Sequence, residues 1–209
     1  MIRHALRPTG ALAATAVLVL GGAALAAPAR AVSSCRVNGV PVAGPFVRGT
    51  DGDDSIVCAD GVDAETTVDA LGGADTITLT GAIGGVVRGG SGADRVEITS
   101  GELSGGVETQ EGDDAVGFRG SATIGPGGHV RTGQGSDTIS VAAGGTVHGE
   151  ITGARGTDRI DVHGTVARGG RVLGGPDADA IFVQHNRGYV YAGGDPGDEC
   201  RVAAGDPCM

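Results

Sequence analysis

A chain of 209 residues with formal net charge −10, in which 25 acids face 15 arginines and no lysine, is too acidic to grip a nucleic-acid backbone. Aromatic residues are 2% and tryptophan is absent, which excludes a core of large rings and a stacking platform for single strands. The 42 glycines far exceed the ordinary ~7% yet follow no G-X-Y period, so a collagen helix is excluded as well.

The chain opens with Arg3, His4 and Arg7, then an apolar run from Ala11 to Ala27, then the small-x-small site Ala29-Arg30-Ala31. This reads as a secretory signal peptide over residues 1–31, and no second long apolar stretch follows that would cross a membrane. Val32-Ser33-Ser34-Cys35 offers a second reading, a lipobox with lipid anchoring through Cys35, but Arg30 interrupts the apolar approach to it. Removing three arginines and no acids takes the formal charge of residues 32–209 to −13.

From residue 32 onward one pattern repeats, and residues 32–209 read as a single domain of about eight coils. Its aspartates are Asp54, Asp75, Asp94, Asp114, Asp137, Asp158, Asp179 and Asp198, at intervals of 21, 19, 20, 23, 21, 21 and 19 residues. Two places after each stands Ile56, Ile77, Val96, Val116, Ile139, Ile160, Ile181 or Cys200. Seven places before each stands Val47, Val68, Val87, Val107, Val130, Ile151, Val172 or Tyr191. The residues after each aspartate alternate apolar and polar, the mark of a half-buried strand. A further apolar rank (Val62, Ile83, Leu103, Ile124, Val147, Val166, Tyr189) follows, and glycine pairs such as Gly84-Gly85 and Gly127-Gly128 separate the pieces. No copy can bury its apolar face alone, so the expectation is an all-β, parallel β-solenoid with Val/Ile ladders inside.

The aspartate turn carries a family resemblance. Gly89-Gly90-Ser91-Gly92-Ala93-Asp94-Arg95-Val96-Glu97 matches G-G-x-G-x-D-x-U-x at every defined place. Segments 132–139 and 153–160, with Gly133, Gly135, Gly153 and Gly156, match with one glycine replaced. The glycine two places before the aspartate recurs as Gly52, Gly73, Gly92, Gly112, Gly135 and Gly156, then becomes Asp177 and Pro196. This resembles the calcium-binding nonapeptide of RTX (haemolysin-type) repeat proteins, in the single-edge variety with coils near 20 residues. The resemblance implies a right-handed roll, with Ca²⁺ between adjacent coils held by aspartates of both, and seven gaps admit at most seven ions.

The chemistry agrees with that implication. Glycines allow turns that aim carbonyl oxygens at one point, and Ca²⁺ takes six to eight oxygen ligands. Carboxylates stacked at the ~4.8 Å strand spacing repel by roughly 1 kcal/mol per neighbouring pair even in water. Copies three, five and six keep the motif best; copy two has Ala70-Leu71 and copy four Thr109-Gln110 in place of the paired glycines. The competing reading is a plain β-helix whose aspartates hold turns through Asx-type hydrogen bonds.

Four cysteines allow three pairings. In a straight roll the ends stand about seven coils apart, roughly 34 Å, whereas a disulfide needs Cα atoms within ~7 Å. The expectation is therefore Cys35–Cys58 and Cys200–Cys208, each stapling a terminal cap (residues 32–58 with the first coil, and 195–209) over an open end. No catalytic motif is present, and His129, His148, His163 and His185 share no place in the repeat. The expected function is a secreted, non-enzymatic protein whose calcium ions stabilise the fold. An adhesin or matrix protein holding extracellular polysaccharide or a cell-wall surface is the alternative. A polysaccharide-modifying enzyme and an ice-binding protein rank lower, because the outward residues form neither an acid–base cluster nor a regular lattice.

Overall fold

The structure, a computed structural model, describes residues 33–209. The signal-peptide reading of residues 1–31 lies outside them. Alternation of β-branched and polar residues becomes eight strands after the aspartates, from Ser55–Cys58 and Thr76–Thr80 to Ala180–Asn186 and Glu199–Gly205. They pair in parallel, coil upon coil, into one sheet. The residues before the aspartate turns form a second parallel sheet, from Phe46–Arg48 to Tyr189–Tyr191. A third, short rank runs through Val62, Ile83, Leu103, Ile124 and Val147 to Val166. Among the described residues there is no helix: the chain is an all-β parallel solenoid of about eight coils.

Inside, each rank is a stack of like residues. Ile56, Ile77, Val96, Val116, Ile139 and Ile160 are all essentially inaccessible, as are Val47, Val68, Val87, Val107, Val130, Ile151 and Val172 opposite. A fully buried Val or Ile contributes about 1.5–3 kcal/mol, so these ladders are the main source of cohesion. Longer intervals are absorbed away from the aspartates; in the 23-residue interval the extra length lies around Arg119–Ala122 and Gly125–Gly128.

Two sequence assignments are corrected. Tyr191 does not join the inner rank: Val190 pairs with Val172 and is buried, while Tyr191 pairs with Leu173 and is exposed. The last aspartate turn is one residue longer than the others, which moves the inner position back by one. Tyr189 likewise lies on the second sheet opposite Arg171, and Asn186 takes the place beside Val166 in the third rank. Asn186 tolerates full burial because its amide donates to the Asp206 carbonyl and its Oδ1 accepts the Gly188 N–H.

Both ends are closed covalently. Strands Ser34–Val37 and Val40–Ala43 form an antiparallel hairpin laid on the first coil, turned by Asn38-Gly39 at φ 51° and 79°. Positive φ at both residues suits the two-residue turn that matches strand twist. Cys35 bonds Cys58 and Cys200 bonds Cys208, the two pairings expected, and no free cysteine remains. With its sulfur in a disulfide, Cys35 offers no thiol for a lipid. On the outer face of the second sheet, Arg48, Asp69, Arg88, Glu108 and Arg131 stand in register on successive coils. Their alternating signs favour this stacking over a one-coil slip, although single exposed pairs such as Arg88–Glu108 (3.4 Å) add little stability.

Candidate metal centre

The eight aspartates form one interior ladder. Each stands at the end of a turn with its side chain inward, the same side as the apolar residue two places on. Asp54 through Asp179 are 1–4% exposed, and Asp198 is half-buried at the end. In every gap between coils the backbone N–H of one aspartate donates to Oδ1 of the next. The bonds run from Asp54 N to Asp75 (2.7 Å), Asp75 to Asp94 (2.9 Å), Asp94 to Asp114 (2.8 Å) and Asp114 to Asp137 (2.8 Å). They continue to Asp158, Asp179 and Asp198 at 2.9, 2.9 and 2.8 Å.

The second oxygen divides the ladder into ends and interior. At the first coil Oδ2 of Asp54 accepts the Thr50 N–H and hydroxyl. Its Oδ1, with no preceding coil, takes the amide of Asn38 from the capping hairpin. At the last coil Oδ2 of Asp198 accepts the N–H groups of Gly194 and Asp195. In the six interior members, Asp75, Asp94, Asp114, Asp137, Asp158 and Asp179, Oδ2 is buried with no partner. A buried carboxylate oxygen without a donor costs several kcal/mol unless a proton or cation offsets its charge.

Electrostatics follow the same division. Loss of solvent pushes Asp75, Asp114 and Asp179 up to about 6 and Asp158 up to about 7, more than their N–H bonds offset, and neighbouring carboxylates push further. Asp94 and Asp137 are raised for the same first reason. Thr109 and Thr132 stand close enough to restrain Asp114 and Asp137. Each hydroxyl has a single proton, however, and geometry directs it to the carbonyl of Thr132 or Gly153. At Asp54, three hydrogen bonds outweigh burial and lower the pKa; at Asp198 the Asp179 N–H leads the lowering.

The glycines shape the space around these oxygens. Five places before Asp94, Asp158 and Asp179 are Gly89, Gly153 and Gly174, where a Cβ would meet Oδ2 at 2.3, 2.2 and 2.3 Å. The same point lies 3.0 Å from the Thr109 carbonyl oxygen beside Gly89, and 2.1 Å from that of Ala192 beside Gly174. Carboxylate and carbonyl oxygens therefore converge at Gly89 and Gly174, and likewise at Gly49 beside the end residue Asp54, whereas at Gly153 the nearest atoms all belong to Asp158. Before Asp75, Asp114 and Asp137 the corresponding residues are Ala70, Thr109 and Thr132, which fill that side. Gly73, Gly92, Gly112, Gly135 and Gly156 have φ between 115° and 142°, while Gly52 in the first copy lies outside the left-handed region.

One place later than Gly89 the turn alternates in a way the sequence motif conceals. Successive φ values are 84° at Leu71, 121° at Gly90, 80° at Gln110, 108° at Gly133, 87° at Ala154 and 143° at Gly175. Non-glycine residues held left-handed cost of order 1–3 kcal/mol each and persist only where the surroundings enforce them. Here the ladder and the strand pairing on either side of the turn enforce them.

Missed at the sequence level were Asn38 and the unequal roles of the aspartates. Asn38-Gly39 between alternating apolar residues is a hairpin signal, but nothing local ties Asn38 to Asp54. The expected row is thus formed in all eight places, with interior oxygens suited to a hard cation. Among the described residues no three His, Cys, Asp or Glu side chains converge, so carbonyl oxygens must supply the rest of any ligand set. Compared with known proteins, the chain matches no family model, no curated protein and no solved structure.

Proposed function

We propose that this is an extracellular calcium-binding solenoid whose interior aspartate ladder takes up cations between coils, calcium stabilising the rod. The carrying observation is the row of six partnerless, buried Oδ2 atoms flanked by two end aspartates whose oxygens are all satisfied. Asp94 and Asp179, where Oδ2 meets a carbonyl oxygen beside Gly89 and Gly174, are the best-placed ligands, with Asp158 beside Gly153 next; Asp75, Asp114 and Asp137 have Ala70, Thr109 and Thr132 on that side. Six such oxygens set the ceiling at six ions rather than the seven that counting gaps suggests. When bound, Ca²⁺ supplies positive charge to a desolvated anionic row; the chain supplies the oxygens and the spacing. Two disulfides in a chain with a signal-like start support an oxidising, extracellular location.

A second reading, a metal-free scaffold on which an adhesin is built, is favoured by the Oδ1 bonds: they tie every coil to the next without any ion. Far-UV circular dichroism of oxidised residues 32–209, titrated with calcium from a chelated start, separates the two. The calcium reading expects a cooperative gain of β signal, or of melting temperature, over roughly 10⁻⁴–10⁻³ M, the range of extracellular modules, with magnesium ineffective. Identical spectra and melting in chelator and calcium would leave the scaffold reading alone.

A further inference from the structure

On the outer face of the first sheet Thr76 and Thr78, Ala115 and Gly117, and Thr138 and Ser140 are small, while the third coil carries Arg95 and Glu97, whose charges are engaged with each other and with Arg119. The last three coils add an aromatic ring and unengaged charges. There Arg159/Asp161, Ala180/Phe182 and Glu199/Arg201 stand in register on adjacent strands, and above them opens a concavity of about 660 Å³. Phe182 is the one phenyl ring pointing outward from this sheet, half-buried and tilted at 51° against His163 with centroids 5.6 Å apart. Beside it Arg159 holds Asp161 through two hydrogen bonds of 2.8 and 3.0 Å, which fixes that carboxylate. Glu199 and Arg201, on the final strand, are exposed and make no side-chain bond among the described residues.

We infer that this concavity is a binding site for a neutral saccharide. Small Ala180 leaves room between Arg159 and Glu199, so a ring-sized group can settle onto the sheet beside Phe182. A pyranose presents C–H groups on one face and hydroxyls around its rim. The Phe182 ring receives the first, while the unengaged Glu199 accepts from hydroxyls and Arg201 donates to them. The two arginines and two acids cancel formally, so the site itself offers an anionic polymer no net attraction, and the chain at −10 repels one. An open, shallow site of this kind suits an extended polymer held by several weak contacts. The inference stands apart from calcium in the ladder, since none of these side chains belongs to it.

The test is affinity electrophoresis of the oxidised protein, with calcium present throughout, in native gels containing mixed-linkage β-glucan, glucomannan, xylan or dextran. An alginate gel is the anionic comparison. Retardation by at least one neutral polymer is expected, weakened about tenfold by Phe182→Ala, the loss of ~1.4 kcal/mol. Glu199→Gln, isosteric and exposed, is expected to weaken it too, and Thr76→Ala on the same sheet to leave it unchanged. Circular dichroism of each variant shows that the fold is kept. No retardation in any neutral gel, retardation in alginate alone, or wild-type behaviour of both Phe182→Ala and Glu199→Gln overturns the inference.

Discussion

Asp158 shows how much one side chain is asked to do. Its Oδ1 holds the Asp137 N–H, its Oδ2 has no partner, and loss of solvent pushes its pKa to about 7. Two substitutions separate these roles. Asp158→Asn keeps a carbonyl oxygen for Asp137 N–H and removes the charge, so the metal-free protein is expected to melt higher at neutral pH. A gain of ~1 kcal/mol corresponds to about 2–4 °C at this size. The same variant is expected to gain less from calcium than the native chain does. Asp158→Ala strands a buried N–H and is expected to cost about 1–3 kcal/mol under both conditions. Differential scanning calorimetry with chelator and with calcium reads all of these, and an Asn variant that loses as much as Ala in chelator would contradict a charge penalty.

At the scale of elements, the coils depend on their neighbours and on the caps. In a stacked-coil protein, stability is close to a sum of coil and interface contributions, so unfolding starts where an interface is missing. The hairpin 34–43 supplies the first coil with strand pairing, Cys35 and the Asn38 amide; the final strand 199–205 has only the Cys200–Cys208 bridge and the tail. The bridges span 23 and 8 residues, for which loop-closure entropy gives about 3.4 and about 2.5 kcal/mol. Removing each pair by Cys→Ser is therefore expected to cost the N-terminal end more. Hydrogen exchange should show fraying confined to the first coils in one variant and the last coils in the other. Uniform loss of protection along the chain would argue against coil-by-coil coupling. The repeat and the inner ranks are legible in the sequence because like residues recur at fixed offsets, and both disulfides because the two ends of a straight roll stand too far apart to be bridged. Tyr191 misses its rank because the last aspartate turn is a residue longer, and Tyr189 misses its own because the polar Asn186 fills the third-rank place there; no offset rule detects either.

For the whole molecule the ladder sets an unusual response to pH. Burial raises the interior aspartates above their ordinary 3.8, to about 6 or 7 where the shift is largest, so the folded state binds protons more tightly than the unfolded chain. That contribution is fully present below pH 3.8 and is lost as pH rises through 6 to 7. Asp54 and Asp198, lowered, act oppositely, and their contribution is lost only as pH falls below the ordinary carboxylate value. Without metal, the melting temperature is expected to fall between about pH 4 and pH 7, with calcium restoring most at the upper end. A metal-free melting point that climbs over this interval would rule out a desolvated ladder. The sequence by itself determined the coil length, the inward ranks, the cysteine pairing and the row of eight aspartates, because a solenoid writes each rank as a period along the chain. Only the tertiary structure decided that six aspartates lack a partner while two do not, that Asn38 ends the row, and that Phe182 faces Glu199 and Arg201. Each of these depends on which residues lie one coil above and below, where hydrogen bonds and burial are assigned across the stack rather than along the sequence.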